Sequence, residues 1–446
     1  MADDKRSRLK EWLETGEARL QPLSFSQREL WEASPVPPTD ASHHICTYME
    51  IRSGISPQEC LAGLQRVVDK QEVLRLSILP GKTGPLQLIR KTGTPVIEFT
   101  ELPAGSPPEA LEERMQRLFE TPFDLVRGPL YRVEIIRRGP DDIVLVFAVH
   151  HAIADGWTLG VFVTDIFASY LFGAMGALGG LPPVPLTYTD WAAGERAAWP
   201  PAKLEEHGRF WKTQLAGAPR LWKFPAGEGP RRLTREVIFI AADVTTAVRG
   251  LARSSDATLF STLLTAFQIT LFRWTGQTDI VVGTPVANRA KQTVRETMGY
   301  CSGNVPIRGQ VAEDRTFEDS IRETHRAAVD AFANAMPFAE LVRAVGDPPS
   351  ADHNPIFDVR FALQNHPIPD IDVPGLSVHL HMRSTGTARF DLGCEVTEVG
   401  DRLEVAWLYR PDCFALSDIE TLHGFFLMIL SEASRTPQSR TAAASL

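Results

Sequence analysis

Cysteine is scarce in this chain of 446 residues, and each one stands apart. Cys46, Cys60, Cys301, Cys394 and Cys413 are odd in number and never fall in a CxxC spacing. That argues against a disulfide scaffold or a structural zinc site and fits a reducing compartment. Positive charge is also in deficit. Lys+Arg total 46 against 55 Asp+Glu, a formal net charge of −9, so no nucleic-acid partner is expected. Long apolar runs are missing as well. Residues 166–186 carry no charge but are broken by Gly173, Gly176, Gly179, Gly180, Pro182 and Pro183, and residues 258–272 are too short to cross a bilayer. The N-terminal MADDKRSRLKEWL has no apolar stretch ahead of a cleavage site. No membrane association is expected, and a cytoplasmic location follows.

What is present is ordinary globular material, 43% hydrophobic and 23% charged, long enough for two or three domains. The Gly/Pro-rich residues 173–185 form the clearest boundary. We expect an N-terminal lobe over 1–178, a linker at 179–186 and a C-terminal lobe over 187–446. Ser56, Pro57 and Glu59 predict a capping-box helix start, followed by a Leu61, Leu64, Val67, Val68 stripe. YRVEIIRR, the turn signal GPDD and IVLVFAVH read as a β-hairpin whose second strand is apolar enough to be central. From Gly156 a helix follows with Leu159, Val163, Ile166 and Tyr170 on one face and a narrow polar stripe of Thr158, Asp165 and Ser169. Further on, Thr316 with Asp319 caps a helix, and DIVVGTPV, IFDVRFALQ and LEVAWLYR read as strands. Mixed helices and strands in two blocks predict an α/β (α+β) pair of lobes.

The most informative segment is VHHAIADGWTLG, residues 149–160, where a buried strand gives way to a loop and a helix. Neighbouring strand residues face opposite ways, so His150 and His151 share a site only if the strand has ended, which disfavours a tandem metal-ligand pair. Taken singly, Asp155 would serve as a helix N-cap and either histidine as a core residue. Taken together they are rarer. With 11 His and 32 Gly in the chain, a chance HHxxxDG has odds on the order of one in a thousand. An imidazole at a strand end beside a helix N-terminus suits general-base work, because its ordinary pKa lies near neutrality and the helix start offers N–H groups to an oxyanion.

HHAIADG resembles the HHxxxDG signature of nonribosomal-peptide-synthetase condensation domains, within the chloramphenicol-acetyltransferase-like superfamily. Other segments resemble the family's motifs in order: LSFSQRELW, KQEVLRL, YTDWA, FWKTQLAGAPRLWKFP, VVGTPVANR, MGYCSGNVPIR, MPF and HNPIFDVRFALQN. The resemblance implies two acetyltransferase-like lobes in a V-shaped pseudo-dimer with a central tunnel. It makes His151 the catalytic imidazole, acting on an amine or hydroxyl that attacks a carrier-bound thioester. Gly156 would let the backbone approach the reacting carbonyl. Asp155 would be structural, paired with Arg289, and His150 would support the site. Ser302, Gln364 and Asn365 would line the channel. No metal and no bound cofactor are implied, only the phosphopantetheine arm of an acyl or peptidyl carrier protein as donor, with a second carrier or a free small molecule as acceptor.

The chain departs from the pattern at Gln71, where a His is usual, and at Ala333 and His353. Cys301, Ser302, Gly303 and Asn304 replace the common Phe-Val-Asn-Thr, which motivates the expectation of an unusual, free acceptor. The Met start and the tail TPQSRTAAASL suggest a free-standing enzyme of natural-product biosynthesis. Two relatives share the motif and remain alternatives, an epimerisation domain and a polyketide-ester acyltransferase. A non-catalytic recruitment module of the same fold is the alternative from another class. His43-His44 and the one-faced pair His379 and His381 lack a further ligand in register, so no metal site is assigned to them.

Overall fold

The computed structural model describes residues 2–33, 41, 43–52, 55–103, 105–174, 180–222, 233–347, 354–364, 371–373, 376–383 and 390–441. They fold into two compact units. The first takes in Met1–Trp199, Ala287–Ser302 and His366–Thr385; the second takes in Pro200–Val286, Gly303–Asn365 and Gly386–Leu446. These bounds do not coincide with the division expected at residues 179–186. The chain passes between the units several times, which a local Gly/Pro signal does not report.

The first unit is built on a six-stranded sheet in the spatial order Ile371–Val373, Leu376–Arg383, His44–Arg52, Asp142–His150, Tyr131–Gly139, Ile97–Glu101. The expected hairpin is there. Tyr131–Gly139 and Asp142–His150 pair antiparallel, with a register irregularity between Arg137 and Gly139 that admits the turn. Asp142–His150 lies between two sheet neighbours and is buried from Ile143 onward, as its unbroken apolar run requires. A smaller antiparallel sheet joins Ala18–Pro22, Leu86–Arg90 and Leu76–Leu79.

Helix Pro57–Lys70 begins with the predicted capping box. The Glu59 N–H donates to Ser56 Oγ and the Ser56 N–H donates to the Glu59 carboxylate. Of its apolar stripe, Leu64, Val67 and Val68 are buried, whereas Leu61 is exposed.

Among the described residues, one helix is long and apolar enough to cross a membrane, the helix that includes Gly156–Gly173. Its packing is that of a core helix. Phe162 stacks on the strand residue Phe147, with ring centroids 4.0 Å apart. Its polar stripe also faces inward. Thr158, Asp165 and Ser169 are all buried, and Asp165 receives Lys70 Nζ at 2.7 Å and Gln71 Nε2 at 2.8 Å. Burial raises the Asp165 pKa, while the bonds from Lys70 and Gln71 oppose that rise.

The second unit carries its own six-stranded sheet, ordered Gly303–Gln310, Asp279–Val286, Val359–Gln364, Leu392–Val399, Arg402–Tyr409, Thr234–Ile240. Phe267 from helix Leu259–Thr275 packs beside Phe361 and Trp407 at 5.5 and 6.0 Å between ring centroids. Helix Phe317–Ala333 starts at Thr316, whose hydroxyl accepts the Asp319 N–H, as predicted. Leu416–Arg435 follows the Leu392–Val399/Arg402–Tyr409 hairpin.

Candidate active site

The strand ends at His150, and a short 3-10 turn, His151–Ile153, begins at once. The strand has thus ended between the two histidines, the condition under which they could share a site, yet their surroundings differ. His150 is buried among His43, His44 and Phe123. Its Nδ1 accepts the Ala152 N–H at 3.1 Å, so Nδ1 is the unprotonated nitrogen and the ring serves to cap the turn. His44 lies directly across from it in the sheet and is tied to the Phe119 carbonyl at 2.8 Å.

His151 donates its backbone N–H to the His43 carbonyl at 2.7 Å. The residue is partly exposed, while Ala152, Ile153, Ala154 and Asp155 after it are buried. Its imidazole meets the Tyr300 ring edge-on, with centroids 4.3 Å apart and planes inclined at 62°.

Asp155 plays both roles considered for it. As a cap it accepts the Thr158 N–H on Oδ1 at 3.0 Å. As an ion-pair partner it receives Arg289 Nη2 at 3.2 and 3.3 Å on its two oxygens. Both side chains are almost wholly buried. Oδ2 also accepts the N–H groups of Cys301 and Ser302, each at 3.1 Å. Arg289 also donates to the carbonyls of Val294 at 2.8 Å, Thr297 at 2.6 Å and Gly299 at 3.0 Å. The Asp155 carboxylate is thus bonded to Arg289, to Thr158 and to two backbone N–H groups at once. Gly156, the first residue of its helix, is exposed, while the Thr158 N–H two residues on is taken by Asp155.

Ser302 joins this cluster through its backbone, and its carbonyl accepts Ser26 Oγ at 3.2 Å. Gln364 is the last residue of Val359–Gln364 and belongs to the second unit. Asn365 and His353 lie outside the described residues. The Cys301 thiol is buried, and burial holds its pKa well above the usual thiol range despite the Arg289 charge.

Several residues of the cluster were not assigned to the site from the sequence. Thr158 sits 2.9 Å from Asp155 Oδ1 and 3.1 Å from the Gly299 carbonyl, and it accepts the Gly299 N–H at 3.1 Å. Tyr188 donates to the Tyr300 carbonyl at 3.1 Å. Asn288, in a left-handed conformation with φ 54°, donates to the Cys301 carbonyl at 2.9 Å. The unusual Gln71 proves to be a connector. Besides Asp165, its amide donates to the Glu296 carbonyl at 2.9 Å, and its Oε1 accepts the Met298 N–H at 3.0 Å. No group of three or more His, Cys, Asp or Glu able to hold a metal ion occurs among the described residues. His381 instead stacks on Tyr48, with ring centroids 4.6 Å apart.

The chain belongs to the condensation-domain family, whose model matches residues 17–446. The members of this family are generally amide-forming acyltransferases of nonribosomal peptide synthetases and related synthetases. Among its relatives is phosphinothricin tripeptide synthetase PhsC of Streptomyces viridochromogenes, 32% identical over 397 residues, which cover 84% of this chain and 36% of that protein. Malpinin synthetase of Mortierella alpina is 28% identical over 95% of this chain and 6% of its own length. The chain thus spans 36% or less of these two relatives. In fold it is similar to the X-domain from teicoplanin biosynthesis, with a TM-score of 0.84 at 21% identity, over 95% of this chain and 97% of that one.

Proposed function

We propose that this chain transfers an acyl or aminoacyl group from a carrier-protein phosphopantetheine thioester to an amine or hydroxyl, with His151 acting on the nucleophile. One observation carries the reading. The carboxylate of the HHxxxDG segment is consumed by Arg289 and two backbone N–H groups, which leaves the partly exposed His151 as the proton acceptor of the motif. In the step itself, His151 takes the proton of the attacking amine or hydroxyl as the new C–N or C–O bond forms. The tetrahedral oxyanion is stabilised by N–H groups at the helix start around Gly156. Its collapse breaks the C–S bond, and the departing thiolate recovers the proton from the imidazole.

The acceptor, in this reading, is a free small molecule. Cys301 and Ser302 stand where bulkier residues are usual, and the Ser302 N–H is bonded to Asp155 at the centre of the cluster. A cytoplasmic location goes with such chemistry. The test is acyl transfer from a loaded carrier protein by the wild type and by His151→Ala, with amines, alcohols and carrier-tethered acceptors offered together. A loss of about 10²- to 10⁴-fold in kcat is expected. Unchanged turnover would point instead to a recruitment module. Products formed only from tethered acceptors would remove the free-acceptor part.

A further inference from the structure

The five residues 298–302 are held with more bonds than a loop of that length needs. The Met298 N–H is bonded to Gln71, the Gly299 N–H and carbonyl to Thr158, and the same carbonyl to Arg289. The Tyr300 carbonyl accepts from Tyr188, the Cys301 N–H donates to Asp155 and the Cys301 carbonyl accepts from Asn288. The Ser302 N–H donates to Asp155 and its carbonyl accepts from Ser26. Gly299, at φ +151°, lies under the Tyr188 ring, where an added Cβ would come within 2.1 Å. The partners come from distant stretches of the first unit, so the backbone of this segment has no freedom to slide.

A single side chain of the segment has a ring to set against the imidazole, and it does so. Tyr300 is 3% exposed, and its ring contacts His151 at 4.3 Å. We infer that Tyr300 is a positioning residue. The Asp155–Arg289 pair and its neighbours act on the reaction by fixing Tyr300, and the Tyr300 ring fixes the plane of the His151 imidazole. An edge-on aromatic contact limits rotation of the imidazole about its side-chain bonds and keeps water from one face. This inference rests on the reading of His151 as the reacting group.

The hydroxyl of Tyr300 plays no part in this role, so Tyr300→Phe should keep wild-type kcat. Tyr300→Leu and Tyr300→Met keep apolar bulk without an aromatic edge. Each should lower kcat about tenfold, with KM unchanged and the pH-rate profile displaced. A residue that merely filled the core would shift stability and leave kcat and the pH-rate profile alone.

A second arm needs no variant. In the wild-type chain labelled at histidine, the His151 ring protons should carry the ring-current shift of an adjacent aromatic, and that shift should vanish in whichever of the Leu and Met variants folds. Ordinary shifts in the wild type would overturn the contact itself. Wild-type kcat in a folded Leu or Met variant would overturn the positioning role. If His151→Ala turns over normally while the ring-current shift is present, the reading of His151 has failed and the contact has not.

Discussion

Both units contain the same succession of parts, an antiparallel hairpin, a short loop and a long helix. In the first, Asp142–His150 leads through His151 and Asp155 into Gly156–Ala174; in the second, Arg402–Tyr409 leads through Arg410 and Asp412 into Leu416–Arg435. Both loops contain a buried ion pair. The difference lies in which loop position the pair occupies. In the first unit Asp155, four residues further along, takes the arginine, and the position just after the strand keeps a partly exposed imidazole. In the second, the position just after the strand is itself the charge. Arg410 is buried and bonded to Asp391 at 2.9 Å and to Asp412. Burial works against its charge, yet these carboxylates hold its pKa above the usual guanidinium value. The same architecture thus serves either to present a titratable group or to lock one.

The widest separation between the two loops should come from removing each carboxylate. Asp155→Ala leaves the buried Arg289 without a carboxylate and should cost about 3–5 kcal/mol in urea denaturation, whereas Asp391→Ala leaves Arg410 its bonds to Asp412 and should cost less. Acyl transfer per folded molecule should be lost only in the first. Loss of turnover in a folded Asp391→Ala protein would break the comparison.

A smaller contrast involves backbone. Gly299→Ala puts a Cβ into the buried Tyr188 ring and should destabilise by about 2–4 kcal/mol. Gly276, the left-handed C-cap of Leu259–Thr275 in the second unit, has nothing within 4 Å of an added Cβ. Gly276→Ala should therefore cost only about 1 kcal/mol. Equal thermal shifts for the two would mean that Tyr188 yields.

The smallest effect is a pH dependence. Burial pushes Glu195 up to about 7, although the Phe25 N–H bonded to it at 3.1 Å and Arg196 work the other way. Between the ordinary carboxylate range and about pH 7, the folded chain retains a proton that the unfolded chain releases. Stability should therefore fall as pH rises through that window and level off above it. Glu195→Gln should flatten the fall by on the order of 1 kcal/mol, and an unchanged pH-stability curve would show that the group titrates normally.

Local signals were the legible ones. The Ser56–Glu59 box, the Thr316 cap, the hairpin up to His150 and the end of the strand there are written within a few consecutive residues, and each appears as read. The Asp155–Arg289 pair was reached only through family resemblance, because 134 positions separate its members. For the same reason Thr158, Tyr188, Asn288 and Tyr300 were not assigned to the site. Each looks like a cap, a core ring or a turn residue until a partner from a distant stretch of chain is placed beside it. Leu61 failed in the opposite sense. Helical spacing put it on the apolar stripe, in line with the buried Val68, yet near the start of the helix it stays exposed.

For the proposed acyl transfer from a thioester, the burial of Cys301 has a chemical consequence. A thiolate beside an activated acyl group would attack it by transthioesterification and leave the chain self-acylated, competing with the intended acceptor. Kept protonated in its dry surroundings, that sulfur is a poor nucleophile. The small residue tolerated at this position is thus chemically silent toward the donor.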